Sequence, residues 1–416
     1  MVKRILGWLF LGLAMLSAFD VAARADDPPP FVWKDGDRVV LVGDALIERD
    51  QKYGYLETII TARNPEKSIT FRNLGWSGDT VRGLSRARFG PPAEGWQHLI
   101  DHVKALQPTV LIVGYGMADS FDGAAGLPAF VSGLNAFLDA VNGSKPRLMF
   151  LSPIAHEDLG RPLPDPSQHN LVLARYRDAV KKLAGERQGW FFDLFDSTLS
   201  ARDYEIAPLT ENGIHLSPFG SWYLATLITR DARRRREQEW NARVTITENG
   251  FRTQGILSKT KDSSAATRDH VRFDDTLTQL PPPPAPLGAP KDVVWGDRRS
   301  LRITGLDPGS YRLTIDSKEA ATARHDVWAK GVSIDQGPDF EQLDALRQAV
   351  NEKNDLYFYR WRPQNETYLF GFRKHEQGNN AREIPLFDPL VEAKEKEIAR
   401  LKQPVPHVFE LSRVKE

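Results

Sequence analysis

The 416-residue sequence contains no cysteine. That excludes disulfides, a lipidated cysteine and any thiolate metal site, so a domain of this chain must rest on its hydrophobic core. Excess charge of either sign is also missing. Lys+Arg and Asp+Glu are both 55, for a formal net charge of zero. Nothing in that balance draws the chain to nucleic acid or to an anionic membrane. There is no internal repeat. Apolar runs are short after the first 25 residues, and that first segment has its own logic. A basic "MVKR" precedes the apolar "ILGWLFLGLAMLSAF", and small residues Ala23 and Ala25 precede "DDPPP". This is the layout of a secretory signal peptide spanning residues 1–25, so export to the periplasm or the extracellular space is expected, with no membrane span after cleavage.

What is present is a 41% hydrophobic, 26% charged composition, that of a folded protein with a sizeable core. Between about residues 36 and 240, short apolar runs alternate with helix-prone stretches. "RVVLVGD", "ITFRNLGW", "TVLIVGYG", "RLMFLSPI" and "GWFFDLF" predict five strands, separated by stretches such as "YGYLETIITAR" and "LVLARYRDAVKKLAGE". Continuous apolar strands with helices between them predict a five-stranded parallel sheet buried on both faces, a three-layer α/β/α sandwich of flavodoxin-like type. Ligands of such sheets sit beyond the carboxyl ends of the strands. "SPFGSWYLATLITRDARRRREQEW" closes the domain as a helix, with Arg233–Arg236 at its solvated end.

Residues 241–416 change character and predict a β-rich extension. "RVTITENGFRTQGIL" suggests strand and turn, and the prolines 281–286 a stiff spacer or exposed loop. "SLRITGLDPGSYRLTID" suggests a hairpin turning at Asp307-Pro308-Gly309. "DFEQLDALRQAVNEKN" is helical. The aromatics of "LYFYRWRPQNETYLFGF" alternate at strand spacing, as packing or as a platform for a sugar, and "DPLVEAKEKEIARLK" is a terminal helix.

Four pieces of the first domain line up at predicted strand ends: "GDALIE", "NLGWSGDT", "GYGMADS" and "NGIHLSPFG". In order and spacing they resemble the four sequence blocks of the SGNH, or GDSL, hydrolases, which cleave acyl esters and include lipases and carbohydrate acetylesterases. The resemblance covers about residues 36–232. The tail "RWRPQNETYLFGFRKHEQ" resembles the C-terminal region of secreted proteins bearing this domain and implies no activity. The resemblance implies a serine nucleophile after Gly-Asp, but Ala45 follows Asp44. It implies an oxyanion-hole glycine, matched by Gly78, and an oxyanion-hole asparagine, replaced by Ala118. It implies an Asp-x-x-His pair; His215 keeps the base position while Asn212 replaces the orienting acid, with Glu211 one residue earlier. Three of four signature groups are therefore changed. Loss of a nucleophile, an orienting charge and an oxyanion donor each costs orders of magnitude in rate in comparable sites. The sequence thus predicts a degenerate acyl-ester hydrolase, a pseudo-hydrolase that binds a small-molecule or carbohydrate ester. Two alternatives stand beside it: an enzyme with a relocated nucleophile, Ser77 acting with His215, and a structural cell-envelope protein. Ser77 is otherwise a cap for a helix near Thr80, and Ser120 a cap after Asp119. Asp44, Asp79, Asp119 and His215 lack a spacing that demands a metal, so neither metal nor other cofactor is expected. Ala45, Gly78, Ala118 and His215 are expected to converge at the carboxyl edge of the sheet.

Overall fold

The computed structural model describes residues 31–203, 208–231, 241–247, 250–255, 257, 266–287, 289 and 300–414. The signal peptide expected over residues 1–25 and the Arg233–Arg236 run lie outside the described residues.

The first half is the expected three-layer sandwich. Strands β1 (Arg38–Gly43), β2 (Thr70–Asn73), β3 (Val110–Gly114), β4 (Arg147–Leu151) and β5 (Trp190–Phe192) form a parallel sheet in the order β2-β1-β3-β4-β5. Alternate residues of one strand serve opposite cores, as a sheet covered on both faces requires. Val39 and Leu41 of β1 join one cluster with Val110 and Ile112 of β3; Val40 and Val42 join the other with Leu111 and Val113. The covering helices are α1 (Ala45–Tyr53), α2 (Tyr55–Ala62), α3 (Pro92–Leu106), α4 (Gly123–Val141), α5 (Ser167–Glu186), α6 (Leu194–Asp203) and α7 (Pro218–Asp231). The segment around α4 is long and apolar enough to cross a bilayer by length and composition alone. In this fold its Phe130, Leu134 and Phe137 pack into the second core.

The extension continues as β6 (Asn241–Thr247), β7 (Gly250–Gly255), β8 (Ala266–Thr267), β9 (His270–Thr276), β10 (Ser300–Thr304), β11 (Ser310–Ile315) and β12 (Lys318–Arg324). After them come α8 (His325–Lys330), β13 (Val332–Ser333), α9 (Pro338–Trp361), α10 (Glu366–Leu369), α11 (Lys374–Gln377), α12 (Phe387–Leu401) and β14 (Pro406–Arg413). The strands make two further sheets, β13-β10-β6-β7 and β12-β11-β14-β9-β8, which share one core containing Val244, Phe273, Tyr311 and Trp328.

Four readings of the extension are corrected. Strands β10 and β11 do not form a hairpin; they belong to different sheets. The tight hairpin is β11–β12, turning at Asp316 and Ser317 with φ of 49° and 68°. That is the positive-φ turn usually built from Asn-Gly, here made from residues that carry no such signal. The stretch beginning at Leu356 is not a strand. It finishes α9 and runs into short helices, because one face of α9 is buried against the first domain. The helix α12 is not terminal, since β14 follows it and lies centrally between β11 and β9. The prolines are not an exposed loop throughout. Pro281 and Pro283 are buried, and Trp222 Nε1 of α7 donates to Pro283 O at 2.8 Å.

Helix α9 ties the two halves together. Its Trp361 enters the second core of the sandwich, with Tyr357 and Phe358 packed against it. Lys353 is fully buried and donates to both carboxylate oxygens of Glu57 on α2 at 2.8 Å and to Phe71 O at 3.1 Å.

Candidate active site

The site is organised around the first turns of α1. Asp44 caps that helix: its Oδ1 accepts from Leu46 N at 3.2 Å. Its Oδ2 accepts from Met117 N at 3.1 Å and Ala118 N at 3.4 Å, which binds the third motif to the first. Burial pushes the Asp44 carboxyl up to about 6, against the pull of these N–H groups, with the nearby Asp79 charge adding to the rise. Ala45 is the first residue of the helix. A methyl group thus stands where the sequence resemblance expects the nucleophile, while its N–H remains at the positive end of the helix dipole.

The second motif reaches α1 through Glu48. Its Oε2 accepts from Ser77 N, and its Oε1 accepts from Arg362 Nη1 of the extension at 2.9 Å. The Arg362 guanidinium lies 3.6 Å from the centre of the Trp76 ring. Gly78 follows with φ of +74°, a conformation glycine adopts without strain, and it is exposed. Asp79 turns away from the site. It accepts from Ser85 N at 3.1 Å and from Arg86 Nε at 2.7 Å, and the Asp79 and Arg86 side chains are both fully buried. No helix begins near Thr80, so the capping role expected of Ser77 is absent; the loop runs on to a 3₁₀ turn at Leu84–Ala87. Ser77 is exposed, and among the described residues no hydrogen bond joins it to His215.

The fourth motif sets the state of the histidine. Asn212 Oδ1 accepts from His215 N at 2.9 Å and Ile214 N at 3.3 Å. Those two bonds fix the amide, so its Nδ2 faces His215 Nδ1 at 3.2 Å. An amide NH₂ only donates, so Nδ1 must accept and the ring proton sits on Nε2. In an Asp-His pair the proton sits on Nδ1 and Nε2 carries the basic lone pair. The substitution therefore moves the ring proton from Nδ1 to Nε2, and Nε2 becomes a donor. Burial, with the Arg49 charge next, lowers the His215 pKa and favours this neutral form. Glu211 does not replace the missing acid. Its carboxylate is held by Arg49 Nη2 at 2.5 Å and Tyr53 O–H at 3.3 Å.

The second, third and fourth motifs are thus each tied to the start of α1: by Glu48 to Ser77, by Asp44 to Ala118, and by Arg49 to Glu211. Residues 41–222 match the sequence profile of the GDSL-like lipase/acylhydrolase family. These residues form a GDSL-like domain. In fold, a gut microbial diltiazem-metabolizing enzyme, BT4096, superposes with a TM-score of 0.70 at 16% identity, covering 93% of this chain and 100% of that one. That likeness spans both the GDSL-like domain and the extension. Axe2, an acetylxylan esterase from Geobacillus stearothermophilus, matches at a TM-score of 0.38 and 18% identity, over 48% of this chain and 95% of that one. Among the curated proteins none matches by sequence.

Sequence reasoning missed a second polar chain in the GDSL-like domain. Ser120 is no cap. Its Oγ donates to Met117 O at 2.7 Å and lies 2.7 Å from His169 Nε2, whose Nδ1 is 3.0 Å from His156 Nδ1. Burial lowers the pKa of both histidines. The His156 ring lies against Gly213, where φ is +94° and a Cβ would come within 2.8 Å of the ring, so only glycine fits. Beside this loop is a cavity of about 240 Å³, lined by His156, Asp158, Ser167, Asn170, Thr198 and Thr210 among others. No periodicity in the sequence marks His156, in the loop after β4, and His169, in α5, as a pair. Of the imagined metal set, Asp44, Asp79 and Asp119 are each occupied by N–H donors; Asp119 accepts from Val81 N at 3.3 Å. Among the described residues no group of three or more His, Asp or Glu side chains is placed to hold a metal.

Proposed function

We propose that the GDSL-like domain is a pseudo-hydrolase that binds an acyl-ester ligand at the carboxyl edge of its sheet without serine turnover. The observation that carries this is the Asn212–His215 contact, which makes Nε2 a donor beside a helix start whose nucleophile position is Ala45. The N–H groups of Ala45 and Gly78 with His215 Nε2–H form a set of donors and no base. Such a set suits an ester carbonyl or a carboxylate, which accept hydrogen bonds, and supplies nothing to attack the acyl carbon. The carbohydrate-ester preference comes from the family resemblance alone. The cavity beside the fourth motif counts against a purely structural role. The signal-like first 25 residues support a place outside the cytoplasm.

The test uses acetylated xylooligosaccharides and p-nitrophenyl acetate with the full chain. Binding seen by saturation-transfer NMR, with turnover at the background rate, is the expected result. Hydrolysis above background that disappears in His215→Ala would overturn the reading.

A further inference from the structure

The extension builds a second cavity with the GDSL-like domain, bordering the second motif at Leu74. It measures about 440 Å³, within the roughly 300–1,000 Å³ of small-molecule sites, and lies between α3 and the end of α9. Its walls include the rings of His102, Tyr357, Trp361 and Phe370. Two polar atoms of its lining residues are buried without a hydrogen-bond partner: Trp361 Nε1 and His102 Nδ1. Trp361 is only 8% exposed. Glu366 Oε1 is held by Arg88 Nη2 at 2.5 Å. Leaving buried polar groups unsatisfied is costly, and two lining one cavity call for a ligand that meets them.

The chemistry of that ligand follows from the two atoms. Trp361 Nε1–H only donates, and a neutral imidazole nitrogen either donates or accepts. A hydroxyl group both donates and accepts, so adjacent hydroxyls answer both. The charges in the wall cancel, since Arg88 faces Glu366 and Arg360 Nε donates to Asp388 Oδ1 at 2.8 Å. That balance selects against an ionic ligand. Aromatic rings in the wall offer flat apolar faces. A neutral pyranose has both the vicinal hydroxyls and an apolar ring face.

We infer that the cavity between α3 and α9, bounded by Trp361, His102 and Glu366, is a binding site for a neutral saccharide. It is distinct from the strand-end site and does not rest on the pseudo-hydrolase reading. The two adjoin through Arg362, which follows Trp361 and bonds Glu48 beneath Ser77, and through Trp76, whose ring centre is 5.9 Å from that of Trp361.

The experiment titrates the full chain with xylohexaose, cellohexaose and chitohexaose, with oligogalacturonate as the charged control, by calorimetry and tryptophan fluorescence. Saturable binding of at least one neutral oligosaccharide, without binding of oligogalacturonate, is expected. Trp361→Phe keeps a ring and removes the N–H, and should weaken affinity at least fivefold. Phe370 is half exposed, so Phe370→Ala serves as the variant least able to disturb folding, and it should weaken binding as well. Absence of neutral-saccharide binding overturns the site. So does binding unchanged in both variants. Binding that these variants leave intact but Ala45→Trp abolishes would put the sugar at the strand-end site, sinking this inference and sparing the proposed function.

Discussion

With Asn212 donating to Nδ1, the His215 ring keeps its proton on Nε2, and no serine placed at residue 45 would find a base there. This fixes the order in which activity returns. Ala45→Ser alone adds a hydroxyl facing a donor and should leave hydrolysis of p-nitrophenyl acetate at background. Asn212→Asp switches the tautomer, because a carboxylate accepts from Nδ1–H and frees the Nε2 lone pair. Ala118→Asn restores the third oxyanion donor. The triple variant should therefore exceed Ala45→Ser by about 10²-fold or more, since the parts act as a unit. His215→Ala added to the triple should erase the gain. No gain in a folded triple variant would mean that the pocket itself has been lost. The replaced residues were legible because motif positions name them: Ala45, Ala118 and Asn212 stand where the resemblance expects a serine, an asparagine and an aspartate. What the replacement does to the proton was not legible. It depends on Asn212 Oδ1 being taken by two backbone N–H groups, a fact of loop geometry. The same holds for Glu211, adjacent in sequence to the missing acid yet held by Arg49 and Tyr53 from another element.

Elements followed the sequence where hydrophobic period and length agreed. The five parallel strands and their helices could be seen because the central strands β1 and β3 are buried on both faces and the others carry apolar runs beside them. In the extension, local signals lost to tertiary packing. The Asp307-Pro308-Gly309 turn joins strands of different sheets, and the tight hairpin turns at Asp316-Ser317. Alternating aromatics from Leu356 onward suggested a strand, but Tyr357, Phe358 and Trp361 are helical and meet the sandwich core. The hold of α9 on α2 gives an element-scale prediction. Lys353 is fully buried and its ammonium is matched by Glu57. Lys353→Met strands a buried carboxylate and should cost about 3–5 kcal/mol in chemical denaturation. Replacing both partners, with Glu57→Leu and Lys353→Met together, removes the stranded charge and should recover much of that loss. A double variant no more stable than Lys353→Met would show that the pair matters through Phe71 O or local packing instead.

At the scale of the molecule, the GDSL-like domain and its extension share a core through Trp361, so they are expected to unfold together. That shared junction contains a titrating group. His102 of α3 lines the cavity against α9, and burial, with the Arg86 charge next, pushes its pKa down to about 4 from an ordinary 6.5. Folded His102 is then neutral at pH 5, whereas the unfolded chain binds a proton there. Stability from this group rises with pH wherever the unfolded state holds more protons. The window runs from about 4 to 6.5; above it the group contributes no slope. At pH 5 the penalty is about 2 kcal/mol from the two pKa values. His102→Gln removes the titration and keeps a polar side chain in the wall. Other titrating groups are common to both proteins and cancel in the difference between them. The variant should therefore gain on wild type by about 2 kcal/mol on going from pH 7.5 to pH 5, read from urea midpoints in matched ionic strength. The gain should appear in a single transition, because α3 and α9 lose their packing together. A difference that stays constant across that range would show that His102 is not held neutral. A gain confined to one of two separate transitions would show that the extension and the sandwich fold independently.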